Sequence, residues 1–520
     1  MKETLNWSHS DSLERLMEKM QEVRALCPDL PLQALRWMHM RHPIHPVQKE
    51  LLSHQKLKTG NFPQLLRRML TCVAYGIYFT FLVFRLRWAV RDKIGKLRRE
   101  KFDFVAKSWS FGADSGSDGN DFYFGDLQSR LSERQMNLLM LSSDVRGGSP
   151  IRFAQSYTSL SGTKISELCL VPLSAPIQMV FKQLVTSVRL LRAAQKIQDP
   201  LVQEICHRAS QDCLLSSVFR EGLLFWVGLR AVQWWRPKAF VTLYEGLGWE
   251  KCIWSGVKSV DASCHIVGYQ HTVLFPESLS LTAPKKRMKT DIVPDVVLCL
   301  GEIPLELMRK GHEPYGVRMF PFGSFRFQNS QPVGCYADPV RRTVLVTPEG
   351  IASEVKILFS FALRCAKLLP DVTFILRSHP EIPMEKAVRL IEGSIENQPN
   401  ILISSEKNIH RDFEKSSVLM YRGSSAVTYA VSKGLLPIYI HVDGTLVSDP
   451  LYLLHSWRKI CSTPQEFAGL LTWFEQVSSH ELELEWSLAT RFVSDYTVSV
   501  RKEGIDRFLE SVGLPAGSLS

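Results

Sequence analysis

The sequence predicts an α/β protein of two Rossmann-like domains facing a cleft, preceded by a helical N-terminal region. Eight short runs rich in β-branched and aromatic residues alternate with helix-length segments between residues 239 and 444. They are AFVTLYEG, CHIVGYQH, VVLCLGE, RTVLVTPEG, VTFILRSHPE, NILIS, SVLMYRGSS and LLPIYIHVDG. A stretch rich in Gly, Pro, Asn and Gln, FGSFRFQNSQPVGCYADPVRR (322–342), divides these runs into two groups. A chain of 520 residues is long enough for two or three full-sized cores.

Taken in order, residues 1 to about 66 read as short helices broken by prolines (CPDLPL, RHPIHPVQ). The run MLTCVAYGIYFTFLVF (69–84) carries no charge. As a helix it reaches roughly 24 Å, short of the roughly 30 Å of a hydrocarbon core. Residues 85–101 then carry eight basic and two acidic side chains. This apolar-basic segment (69–101) suits in-plane docking on an anionic leaflet. A marginal span with snorkelling arginines and a buried core helix are the alternatives. SFGADSGSDGND (110–121) marks a boundary loop, and residues 123–144 read as a helix running into a strand. Residues 176–235 show apolar spacing near 3.6, hence helices. The expected organisation is a helical region over 1–104, an N-terminal Rossmann-like acceptor domain over 105–325 and a C-terminal Rossmann-like donor domain over 335–500.

The net charge of +11 favours anionic partners, and 45% hydrophobic content excludes a disordered chain. The basic clusters lack the interleaved aromatics of a base-stacking surface, so nucleic acid is not expected. The eleven cysteines include no C-x-x-C pair. That argues against a disulfide framework and a zinc site, and for a reducing, cytoplasmic compartment.

Ligands of open α/β sheets bind beyond the carboxyl ends of the strands, so chemistry is sought there. In SVLMYRGSS, Gly423 permits a tight turn, and Ser424 or Ser425 can cap the helix that follows and present its N–H groups to a phosphate. In VTFILRSHPE, Arg377 and His379 before Pro380 supply a cation and a donor. Two such ends on one sheet can grip a diphosphate or a nucleoside monophosphate. In the other half, Glu245 ends AFVTLYEG and can serve as a general base, or merely as a helix-start or salt-bridge carboxylate. Gln270 and His271 end CHIVGYQH, with His271 a candidate acid or donor. Lys285, Lys286 and Arg287 form a basic loop that is either solvated or the rim that receives an anionic acceptor.

Three short motifs, Tyr244-Glu245-Gly246, His379-Pro380 and Ser424-Ser425, stand in the order and half-chain placement seen in one group of enzymes. The chain resembles bacterial GT-B-fold glycosyltransferases of surface-carbohydrate synthesis, most nearly the polysialyltransferase, lipooligosaccharide sialyltransferase and capsule Kdo-transferase group. FYFGDLQSRL, YEGLGWEK and VGYQHTVL also resemble surface-carbohydrate biosynthesis proteins. The resemblance spans about 120–445 and departs at Tyr244, where the motif usually has a second acidic residue. It implies Glu245 as the base, and His379, Ser424 and Ser425 on the phosphate of a CMP-sugar, with no essential metal and no cofactor beyond that co-substrate.

The expected function is sugar transfer from a nucleotide-activated donor to a lipid-linked or polysaccharide acceptor at the inner face of the cytoplasmic membrane. The alternatives are a CDP-polyol phosphotransferase, a GT-B-fold nucleotide-sugar epimerase and a non-catalytic subunit of a polysaccharide-assembly complex.

Overall fold

The computed structural model describes residues 7–515 except 43, 54–61, 111–119, 146, 160–162, 285–290, 328–333, 392, 394, 396, 397, 407, 444, 446 and 447. Two parallel sheets organise the chain. The first contains β1 (Phe104–Ser110), β2 (Leu138–Asp144), β3 (Lys164–Ser166), β4 (Ala239–Leu243), β5 (His265–Tyr269), β6 (Val296–Cys299) and β7 (Arg318–Pro321), in the order β3-β2-β1-β4-β5-β6-β7. The second contains β8 (Thr343–Pro348), β9 (Thr373–Leu376), β10 (Ile401–Ile403), β11 (Val418–Arg422), β12 (Leu436–Ile440) and β13 (Lys459–Cys461), in the order β10-β9-β8-β11-β12-β13. Both are doubly wound, with strand order reversing between β1 and β4 and between β8 and β11. Those reversals open the crevices in which such sheets bind ligands.

All eight runs singled out in the sequence are strands. The inner residues of β4, β5, β6, β11 and β12 are buried, as parallel strands covered on both faces must be, whereas β10 at the sheet edge leaves Leu402 and Ile403 exposed. Strand β1, FVAKSWS, is harder to see because Lys107 interrupts it. Lys107 is 0% exposed; its ammonium pairs with Glu167 at 3.1 Å and lies 3.6 Å from the Trp109 ring centroid. A partner on each side makes the buried charge tolerable.

The N-terminal region packs on the first sheet's helices as part of the same core, through Leu32, Trp37, Val83 and Leu86 among others. The chain also returns to the first domain at its end. The helix Lys502–Ser511 buries Ile505, Phe508 and Leu509 against Phe104 and Phe322 of the first domain. On the way back, Ser499 forms a parallel bridge with Ser324, and the Ser324 N–H donates to Val498 O at 2.8 Å. Two passages between the domains therefore lie side by side.

Candidate functional site

The first wall of the cleft is built on the turn after β4. Tyr244 and Glu245 are adjacent in the chain and point opposite ways. Tyr244 is buried, and its hydroxyl donates to His312 Nε2 at 2.8 Å, while His312 Nδ1 faces Met308 O. The non-acidic first position of the motif therefore belongs to the core, and only Glu245 faces the cleft. The turn is held by Glu250, 0% exposed, whose carboxylate accepts the backbone N–H groups of Glu245, Gly246 and Leu247 at 2.8–3.0 Å. Gly246 completes it at φ +79°, a conformation that favours glycine.

Glu245 meets a guanidinium and an imidazole. Arg41 Nη1 donates to its Oε2 at 2.7 Å, and His271 Nε2 lies 3.3 Å from its Oε1. Burial works to raise the carboxyl, but His271 and Arg41 outweigh it and hold the group down to about 2. His271 is 7% exposed, and its Nδ1 is buried with no hydrogen-bond partner among the described residues.

The second wall is the carboxyl edge of the second sheet. The turn after β8 carries Glu349 and Gly350, and both strand ends singled out in the sequence lean on it. A Cβ on Gly423 would lie 2.3 Å from Glu349 Oε2, and one on Gly350 would lie 2.6 Å from His379 Nδ1. His379, Gly423 and Ser424 thus share one crevice edge. Gly423 has φ +65°, the left-handed turn its type suggests. Ser424 Oγ accepts the Ala426 N–H at 3.4 Å, while Ser425 makes no capping bond to the helix Ala426–Ser432. His379 Nδ1 accepts the Glu381 N–H at 3.3 Å. Burial and the charge of Arg326 push its imidazole down to about 4, so it is neutral at pH 7 with Nε2–H as its donor.

The two walls meet. His271 and Thr272 from the first domain line the same cavity as Ser425, Thr428 and Tyr429 from the second, with Arg326 between them. Arg326 is exposed, and its guanidinium makes no ion pair among the described residues; it sits 5.1 Å over the Phe122 ring. Glu381, beside His379-Pro380, is pushed up by partial burial and by the Glu245 and Glu349 carboxylates that face it. The cavity has about 20 Å³ of free volume, enough for a water molecule and far below the roughly 300 Å³ of a ligand pocket.

A third element, not foreseen, inserts between the walls. Arg41 and His42 come from the proline-broken N-terminal stretch. His42 Nε2 lies 3.0 Å from Glu349 Oε2 of the second domain, and its Nδ1 lies 3.6 Å from Glu277 Oε2 of the first. Its ring stacks on Phe275 with centroids 3.7 Å apart. Burial opposes the charge, but the two carboxylates prevail and lift His42 to about 9. It is a cationic bridge across the cleft.

Two expected contributors, Arg377 and Gln270, turn away from the crevice. Arg377 does not offer its charge to the crevice: Nη1 donates to Asp412 Oδ2 at 2.6 Å, Ser404 Oγ at 3.1 Å and Glu406 O at 2.8 Å. That carboxylate is 2% exposed, and a buried anion holds its cation. Gln270 is 0% exposed and faces no acceptor. Its Oε1 accepts the Leu300 N–H at 2.9 Å and its amide donates to Thr272 O, tying two strand-end loops together. Lys285, Lys286 and Arg287 lie outside the described residues. Among the described residues no cluster of His, Cys, Asp and Glu is arranged to hold a metal ion.

Two doubly wound sheets with their carboxyl edges opposed across a cleft define the GT-B class of fold. Among solved structures, S. aureus MnaA with UDP is similar over 81% of this chain and 99% of its own, at 9% identity and a TM-score of 0.47. The Methanocaldococcus jannaschii UDP-GlcNAc 2-epimerase with UDP-GlcNAc and UDP is similar over 75% and 98%, at 10% identity and a TM-score of 0.41. Acinetobacter baumannii MurG is similar over 79% and 100%, at 9% identity and a TM-score of 0.40. No family model and no curated protein matches the chain.

Proposed function

We propose that the protein is a glycosyltransferase that moves a sugar from a nucleotide-activated donor, CMP-linked by its motifs, to a lipid-linked or polysaccharide acceptor. The observation that carries this reading is a cavity shared by His271 of one domain and Ser425 of the other, with Arg326, which makes no ion pair among the described residues, in its lining. An anionic leaving group fits the second wall: Arg326 supplies charge, His379 an Nε2–H, and Ser424 and Ser425 hydroxyls. The acceptor hydroxyl attacks the anomeric carbon as the carbon–oxygen bond to the phosphate breaks.

The proton of that hydroxyl goes to His271 rather than to Glu245. A carboxyl held at about 2 has little affinity for a proton. Its role is to orient the ring through Nε2 and stabilise the imidazolium, leaving the unpartnered Nδ1 as base. The donor does not fit the closed cavity, so binding requires the walls to part and the His42–Glu349 contact to open.

One observation favours a second reading. Two carboxyl groups on opposite walls influence each other, Glu245 held low by His271 and Arg41 and Glu381 pushed up by burial and by Glu245. A nucleotide-sugar epimerase works within one bound donor and needs no acceptor. Incubation with CMP-, UDP-, GDP- and dTDP-sugars, with and without a glycan acceptor, separates the readings. Acceptor-dependent release of free nucleotide, reduced about 100-fold or more in His271→Ala, supports transfer. Isomerised donor without an acceptor supports the epimerase, and no turnover or nucleotide binding at all overturns both.

A further inference from the structure

The helix Phe62–Ala89 is built with two apolar faces, and only one is used by the protein. The inner face buries Cys72, Phe79, Val83 and Leu86. Phe79 and Tyr75 each pack 5.3 Å from the ring of Phe219, and Cys72 Sγ donates to the buried Gln183 Oε1 at 3.2 Å. The outer face exposes Leu66, Leu70, Val73, Ile77, Phe81, Phe84 and Trp88, spaced at four and three residues along one stripe, with Phe81 60% and Trp88 64% exposed. A second helix, Ala175–Ala194, carries a matching outer stripe of Ile177 and Phe181, the latter 67% exposed. The two helices touch where Gly76 meets Val180: a Cβ on Gly76 would lie 2.3 Å from Val180 Cγ2. Ile77 adjoins that contact on one side, and Ile177 and Phe181 on the other. Each of the two touching helices thus carries exposed apolar side chains next to their contact.

Exposed basic side chains lie along the helix Phe62–Ala89 and just beyond its end: Arg67, Arg85, Arg91, Lys96, Arg98 and Arg99. Arg91 stacks 4.7 Å over Trp88 and Arg85 lies 5.8 Å over Phe81, so cations sit directly beside the apolar surface. Large apolar faces of this kind are not left to water. Three occupants are conceivable, and the charge chooses among them. A second copy would bring two arrays of like charge together, which opposes self-association. A membrane span would pull the inner face out of its core and break the Arg68–Asp212 pair, 2.8 Å long with Asp212 4% exposed. An anionic bilayer surface matches both the apolar stripe and the cations, with the helix lying in the plane of the interface.

We propose that the exposed apolar side chains of these two helices dock the protein on an anionic lipid bilayer without crossing it. The stripe sinks into the acyl boundary, and the basic side chains meet lipid phosphates. The inference stands apart from the transferase reading, since it uses none of the cleft residues.

The test is flotation of the full-length chain with phosphatidylcholine vesicles and with vesicles that also contain phosphatidylglycerol. The expected result is binding to the anionic vesicles, weakened by salt and lowered about tenfold or more in Phe81→Glu/Phe181→Glu. Both positions are exposed, so an unchanged melting temperature will show that the variant is folded. Failure of the wild-type chain to float with anionic vesicles overturns the proposal. Resistance of the cell-membrane-bound protein to alkaline carbonate would overturn it in favour of a span. A dimer in solution that the double substitution dissolves would overturn it in favour of a second copy.

Discussion

His42→Gln tests the cleft bridge most directly. Glutamine keeps hydrogen-bonding capacity near Glu277 and Glu349 but cannot carry the charge. In the folded protein His42 titrates at about 9, against a usual 6.5. That difference corresponds to about 3 kcal/mol of coupling between the cation and its two carboxylates. The sign follows from the raised value: the stabilisation is fully present below pH 6.5 and is lost as pH rises through about 9. For a 520-residue chain unfolding as a unit, it amounts to about 3 °C in melting temperature. Melting temperatures of wild type and His42→Gln, taken from pH 6 to about pH 10, should differ by about that much at the acid end and converge at the alkaline end. Parallel curves across the range would refute the bridge. So would a gap that widens with pH.

Two contrasts follow from the site. Arg377→Ala leaves the buried Asp412 carboxylate unpaired and should lower stability by about 3 kcal/mol in denaturant titration, whereas Arg326→Ala should leave stability within about 0.5 kcal/mol. Nucleotide binding, followed by calorimetry, should reverse that order, with Arg326→Ala weakening it about tenfold or more. Glu250→Ala frees three backbone N–H groups of the Tyr244–Leu247 turn, so it should cost about 2–4 kcal/mol and abolish turnover by displacing Glu245 rather than by removing a reacting group. A Glu250→Gln variant, which still offers one acceptor, should lie between.

Strands were legible because a parallel sheet demands runs of Val, Ile, Leu and Phe that little else requires, and the turns that end them demand Gly, Ser and Pro. The cleft residues Glu245, His271, His379 and Ser424 could be found by the same logic, since polar residues that end apolar strands gather on one edge. Side-chain direction was not legible. Gln270 sits beside His271 yet turns inward to brace two loops, and Arg377 sits two residues from His379 yet turns to Asp412. Residue type gives the chemistry available, while the neighbours decide where it points. Arg41 and His42 were invisible for another reason. Their partners are 204 and 307 residues away, and RHPIHP has the composition of an ordinary loop. Lys107 concealed β1 because a lysine inside a strand reads as solvent-facing unless its carboxylate and its tryptophan are already known.

The twin crossing at Ser324 and Ser499 also governs how the halves can move. A single tether would let them tumble freely; two tethers abreast confine them to a swing about the line that joins them, like a door on two pins. Such a swing widens the cleft at the side remote from the pins while keeping the floor in register. The last helix rides with the opposite half, so the first half, cut out at the linker, would lack part of its hydrophobic complement.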